Sequence, residues 1–166
     1  MESAGEMIRY EPIEHGVIYS AAGKALYYVR SRPGEPYRVT VPFGKAGLLR
    51  GNVFVHNHPG NESFSANDIW ILLRHGAREV HAYGPERAFR MVASDRTRRF
   101  GLAQELTGWA EVRLSYRREM LASAMRYERF TRARMFTEGE ALAAQTHRVV
   151  RKMAIQFHFS YQEIER

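Results

Sequence analysis

Two histidines one residue apart, His56 and His58, close an apolar run that begins at Val53, and Pro59-Gly60 separates them from Ser65-Ala-Asn-Asp68. In a strand, side chains at i and i+2 share a face, so His56 and His58 project together while Val53, Val55 and Asn57 face the other way. Ser65-x-x-Asp68 has the form of a capping box. Ser65 is then the N-cap of a helix that runs through Ile69, Ile71, Leu72 and Leu73 to His75, with Gly76 as its stop. Asp68 falls in the first turn of that helix, one short loop from the histidines. Two neutral imidazoles and one carboxylate, with a fourth position open to water, are the ligand set of a catalytic zinc site. The competing reading is that Asp68 only serves the helix dipole and the histidines are ordinary strand residues. The coincidence of a His-x-His strand end, a Pro-Gly break and a capped helix start favours the metal.

His56-x-His58-Pro59 followed by Ser65-x-x-Asp68 resembles the signature of the JAMM (JAB/MPN-type) zinc metalloproteases, whose members include deubiquitinating isopeptidases and RadC-type proteins. Six residues separate His58 from Ser65, one fewer than in those two groups. With the wording His-Asn-His-Pro and Ser-Phe-Ser, this looks more like the JAB-type domains of bacteriophage and prophage proteins. The resemblance covers residues 1–95 and is vague beyond them. It implies Zn²⁺ on His56, His58 and Asp68, and hydrolysis of a peptide or isopeptide bond in a protein or peptide substrate such as a ubiquitin-like conjugate or a phage structural protein. It also implies a glutamate near the N-terminal strand as general base, and Glu14 is the residue so placed, with Glu11 its nearest rival. Such a carboxylate takes a proton from the attacking water and hands it to the leaving amine. The serine of the signature, Ser65, would donate to the oxyanion, although the same hydroxyl is the natural N-cap.

The chain has 166 residues, 45% hydrophobic, enough for one domain with a core, and two large domains are not expected. It has no cysteine, so a metal must sit on His, Asp or Glu. With no apolar run of membrane-span length and no charged-then-apolar leader, a cytoplasmic protein is the default expectation, compatible with delivery by a phage or secretion system. The net charge is +7, from 25 Lys and Arg against 18 Asp and Glu, and the arginines cluster at 96–99, 113–118 and 126–134. This balance permits contact with nucleic acid or an acidic protein; the alternative is a solvated helix face.

The elements that must position these residues follow from pattern. Ile13–Tyr19, containing Glu14, and Ala25–Arg30 read as a hairpin around Ala21-Ala-Gly23-Lys24. Tyr37–Val41 reads as a strand, and Pro42–Arg50 as a loop or one helical turn. The metal-bearing strand spans Asn52–His56. Ala77–Tyr83 and Ala88–Ala93 flank the turn Gly84-Pro85-Glu86-Arg87. The fold class is α/β, an α+β sandwich with a mixed, mostly antiparallel sheet flanked by helices. Residues 1–95 form the metal-binding core and 96–166 a helical C-terminal extension. The extension holds a short helix near Thr97–Leu106, a long one over Val112–Phe136, and a third opened by the capping box Thr137-Glu-Gly-Glu140. Ala141, Leu142, Val149, Met153 and Phe157 are its expected core positions. Tyr161–Glu165 is a last strand or a frayed end. Two classes of function remain open: a zinc hydrolase, or a non-catalytic JAB-fold module whose basic helices bind nucleic acid or a virion protein.

Overall fold

The computed structural model describes residues 2–98 and 107–164. In chain order these form α1 (Glu2–Ile8), β1 (His15–Tyr19), β2 (Ala25–Arg30), a 3-10 helix (Phe43–Leu49), β3 (Val53–Asn57), α2 (Ala66–Arg74), β4 (Glu79–Tyr83), β5 (Ala88–Val92), α3 (Gly108–Arg132), α4 (Glu138–Phe157) and β6 (Ser160–Ile164). The short helix expected over Thr97–Leu106 falls largely on residues 99–106, outside those described. Among the described residues, no helix is long and apolar enough to cross a membrane.

One sheet of six strands, in the order β2-β1-β3-β4-β5-β6, organises the chain. Every neighbouring pair is antiparallel except β3 and β4, which are parallel. A parallel pair needs a crossover, and α2 supplies it. The fold class is the expected one: a mixed, mostly antiparallel sheet with helices against it. Alternation along the strands separates two faces. Ile18, Phe54, Val80, Phe89 and Met91 join the large core beneath α2, α3 and α4, which contribute Leu72, Val112, Val149, Met153 and Phe157. Val53, Val55, Tyr83 and Ala88 face the other way and meet Ile8 of α1. Gly5 of α1 sits where an added Cβ would stand 2.3 Å from the Tyr83 ring, so glycine is what lets this helix lie so close.

Several expectations need correction. Tyr37–Val41 is not a strand. Pro36 and Pro42 bracket it, and its Val39 N–H is bonded to a side chain, not to a neighbouring strand. Glu14 lies just before β1, not within it. The Pro42–Arg50 stretch, open between loop and helical turn, is the 3-10 helix. The long helix is α3, beginning at Gly108 and ending at Arg132, four residues earlier than expected at each end. The tail is β6, paired with β5 along its length. Leu142 is 39% exposed, whereas Ala141, Val149, Met153 and Phe157 are buried as expected.

Candidate metal centre

β3 carries Phe54 and His56 on the face that meets the helices, and β1 pairs with it antiparallel, setting Gly16 opposite His56 and Ile18 opposite Phe54. Continuing that register by two residues brings Glu14 opposite His58. Gly16 has to be glycine here: a Cβ would meet the Phe54 ring at 2.8 Å, and that ring stacks on His56 with centroids 5.0 Å apart. At the end of β3, Asn57 faces the opposite way and clamps the segment that holds Glu14. Its Oδ1 accepts from His15 N–H at 2.6 Å, and its Nδ2 donates to the carbonyls of Glu11 and Ile13, each at 3.1 Å.

The third arm is the start of α2. Ser65 accepts from Asp68 N–H and Asp68 in turn accepts from Ser65 N–H, a complete capping box that fixes the Asp68 rotamer. The Ser65 hydroxyl also donates to Asp68 Oδ2 at 2.7 Å.

These arms bring Glu14, His56, His58 and Asp68 together. The Nε2 atoms of His56 and His58 lie 2.9 Å apart. Asp68 Oδ1 is 3.3 Å from His56 Nε2, Asp68 Oδ2 is 3.7 Å from His58 Nε2, and Glu14 Oε1 is 3.3 Å from His58 Nε2. Each carboxylate divides its work in the same way. Glu14 Oε2 accepts from Val39 N–H at 2.6 Å and Asp68 Oδ2 from Ser65, which leaves Glu14 Oε1 to face His58 and Asp68 Oδ1 to face His56. His58 Nδ1 donates to the Glu62 carbonyl at 2.9 Å, which leaves a lone pair on Nε2, the tautomer a metal requires.

This donor set could hold a metal ion, and zinc is among those its nitrogens and carboxylate oxygens suit. Bonds of about 2.0–2.1 Å in a tetrahedral zinc site put ligand atoms about 3.3 Å apart; the Glu14–His58 contact and the contact of His56 with Asp68 Oδ1 stand at that spacing, whereas Asp68 reaches toward His58 through its other oxygen. Among the described residues, the group whose ligand atoms all lie within 4.8 Å of one another is Glu14, His56 and His58, and Asp68 stands beside it against His56. The electrostatics agree. Burial disfavours charge on His58, yet the Glu14 hydrogen bond and the charges of Asp68 and Glu14 outweigh it and raise the imidazole to about 9. Asp68 is also desolvated, but His56 and His58 hold its carboxyl well below the usual carboxylate range. Two acids thus draw positive charge onto the buried His58 imidazole, and a divalent cation would meet that demand in place of a proton. His56 Nδ1 is buried without a hydrogen-bond partner, so beyond its Nε2 contacts the ring is held by stacking on Phe54.

The cluster opens on one side to a cavity of about 790 Å³. Glu14, His58, Ser65 and Asp68 line its floor, and His56, fully buried, lies behind them. The loop between His58 and Ser65 is pinned from the C-terminal side: Thr146 Oγ1 accepts from Ser63 N–H, Tyr161 Oη bonds Ser63 Oγ at 2.7 Å, and Tyr116 Oη donates to the Phe64 carbonyl. The far wall comes from Trp109, Tyr116, Met120 and Leu142. The sequence pattern assigns Leu142 to the core and does not single out Trp109, Tyr116 or Met120. Trp109, Tyr116 and Met120 recur at i, i+7 and i+11, the spacing of one helical face, and that was the signal available.

No family model, no curated protein and no solved structure matches this chain.

Proposed function

We propose that this chain is a zinc-dependent hydrolase of the JAMM (JAB/MPN) type, cleaving a peptide or isopeptide bond of a protein substrate. The observation that carries this reading is the convergence of two imidazoles and two carboxylates on one point at the floor of an open cavity. His56, His58 and Asp68 would hold the ion, and Zn²⁺ when bound supplies Lewis-acid activation of water and of the substrate carbonyl. Glu14 Oε1 accepts the proton that the attacking water gives up, while Oε2 stays on Val39 N–H and keeps the carboxylate from swinging away. As the new C–O bond forms and the C–N bond breaks, Glu14 returns that proton to the departing amine. Ser65 holds Asp68 in orientation through its hydroxyl; to donate to an oxyanion it must turn from Asp68 Oδ2 toward the cavity it lines.

The test is zinc per chain by elemental analysis, alongside hydrolysis of unstructured protein substrates. Near-stoichiometric zinc is expected in the native chain and in Glu14→Gln, and little in His58→Ala, with hydrolysis only in the native chain. Absence of zinc after reconstitution overturns the proposal.

A second reading is favoured by a separate observation. Arg87, Arg148, Arg151 and Lys152 line a groove of about 470 Å³ along α4, bordered by Tyr127 of α3. Arg87 and Lys152 are paired with Glu163 and Glu119, whereas Arg148 and Arg151 have no acidic partner among the described residues. In this reading the chain is a non-catalytic module that binds nucleic acid or a virion protein through its helices. Loss of DNA binding in Arg148→Glu/Arg151→Glu at moderate salt supports it; DNA binding unchanged by that substitution overturns it.

A further inference from the structure

We propose that the helical end of the cavity is a subsite for one large apolar side chain of the substrate, next to the bond that is cut. The substrate is then a peptide segment carrying Leu, Met or Phe at that place. The assignment of a cleaved bond rests on the hydrolase reading; the side-chain preference rests on the wall itself.

Two observations support it. First, the wall's hydroxyls and its Met120 carbonyl are already engaged. Tyr116 Oη donates to the Phe64 carbonyl at 3.1 Å. Thr146 Oγ1 donates to the Ala143 carbonyl at 3.0 Å and accepts from Ser63 N–H at 3.1 Å, and the Met120 carbonyl accepts from Gln145 Nε2 at 2.7 Å. What these residues and Leu142 offer the cavity is ring face, thioether and branched alkyl. A polar side chain entering there would give up water for few partners, whereas an apolar one gains by leaving water. Second, the wall is built to be open yet firm. Leu142 is 39% exposed, a leucine on a helix whose other apolar residues mostly enter the core. Trp109 is backed by Trp70, with ring centroids 5.7 Å apart, so it does not collapse into the space. The volume of about 790 Å³ lies in the range, about 300–1,000 Å³, that encloses a ligand of several residues' bulk. The opposite end is ionic, with Glu14, His58 and Asp68, so a bound peptide has its backbone at the acids and one side chain on the helices.

The probes are blocked pentapeptides, Ac-Ala-Ala-Xaa-Ala-Ala-NH₂, with Leu, Phe, Gly or Asp at Xaa. Kd is read on the full-length Glu14→Gln chain from tryptophan fluorescence, since Trp109 forms part of the wall, and kcat/KM on the zinc-loaded native chain. Leu and Phe peptides should bind about ten-fold or more tightly than Gly and Asp peptides. Leu142→Asp, at an exposed position where the fold tolerates it, should bring that ratio to within about two-fold. Equal Kd for Leu and Gly peptides, or a preference unchanged by Leu142→Asp, overturns the subsite, even when the peptides are cleaved. The apolar preference in Kd with no cleavage of any peptide upholds the subsite and counts against the hydrolase reading instead.

Discussion

Replacing Asn57 with alanine tests how the base is held. Asn57 is fully buried, and one side chain satisfies three backbone groups: the N–H of His15 and the carbonyls of Glu11 and Ile13. Removing it leaves all three without this partner, and each buried orphan costs roughly 1–3 kcal/mol. The three costs do not simply add. Glu11 is exposed, so the carbonyls before β1 recover some water, while the short bond from His15 N–H is lost at the strand itself. The expected loss is therefore about 3 kcal/mol, a large fraction of the roughly 5–15 kcal/mol that stabilises a domain. Urea unfolding of native and Asn57→Ala chains, both stripped with a chelator, measures it. Asn57→Asp is the informative partner variant: it can still accept from His15 N–H but sets a carboxylate against two carbonyls, and it should be at least as damaging. Because His56, His58 and Asp68 are anchored elsewhere, zinc affinity should fall less than ten-fold while hydrolysis falls further. A loss below about 1 kcal/mol would refute the argument that Asn57 is what fixes the Glu14 segment.

Ser65→Ala and Thr137→Ala remove equivalent capping boxes from α2 and α4. Each should cost about 1 kcal/mol in thermal or urea unfolding, but only Ser65→Ala should also weaken zinc binding, through Asp68. In the zinc-free chain, His58 is raised from 6.5 to about 9. Its contribution is fully present below pH 6.5 and is lost as pH rises through about 9, and the displacement corresponds to about 3 kcal/mol at most. Asp68 is lowered, so its share is present above the ordinary carboxylate range and fades as pH falls toward the depressed value. The two shifts report one shared interaction and are counted once. Urea midpoints taken in chelator across pH 6 to 10 should decline on the alkaline side, and a flat profile there contradicts the charged His58 cluster. Gly16→Ala forces a methyl to 2.8 Å from the Phe54 ring and should destabilise by about 1–3 kcal/mol, with a loss of zinc because Phe54 supports His56; normal zinc binding at native stability would show that the contact is not needed.

What was legible in the sequence was local. His56 and His58 were found because a two-residue period survives translation into a strand, and Ser65 with Asp68, like Thr137 with Glu140, because a capping box is closed within four residues. Glu14 could be placed only through the resemblance, since its proximity to His58 is a matter of strand register across more than forty residues. Tyr37–Val41 looked like a strand from its alternation, but the Val39 N–H that would have joined a ladder is taken by Glu14, a use that no local pattern reveals. Leu142 fits the helical period of a core residue; that its side borders a cavity depends on how α3 and α4 sit over the sheet. The tail was ambiguous for a similar reason. Ser160–Ile164 has a half-exposed edge pattern, and only the open edge of β5 makes it a strand.

The pinning of the loop between His58 and Ser65 gives the site a birth order. Ser63 is held by Thr146 and Tyr161, partners 83 and 98 residues further along the chain. At about 5–20 residues per second, a ribosome makes the histidines roughly 5–20 s before the residues that steady the loop beside them. Contacts this distant close late in folding, after the capped helices and the hairpins. During that interval the ligands exist without their frame, and an ion captured then is held by side chains free to exchange it. If the centre holds zinc as proposed, secure retention comes only when β6 docks, and zinc loading would then report whether the chain has finished folding.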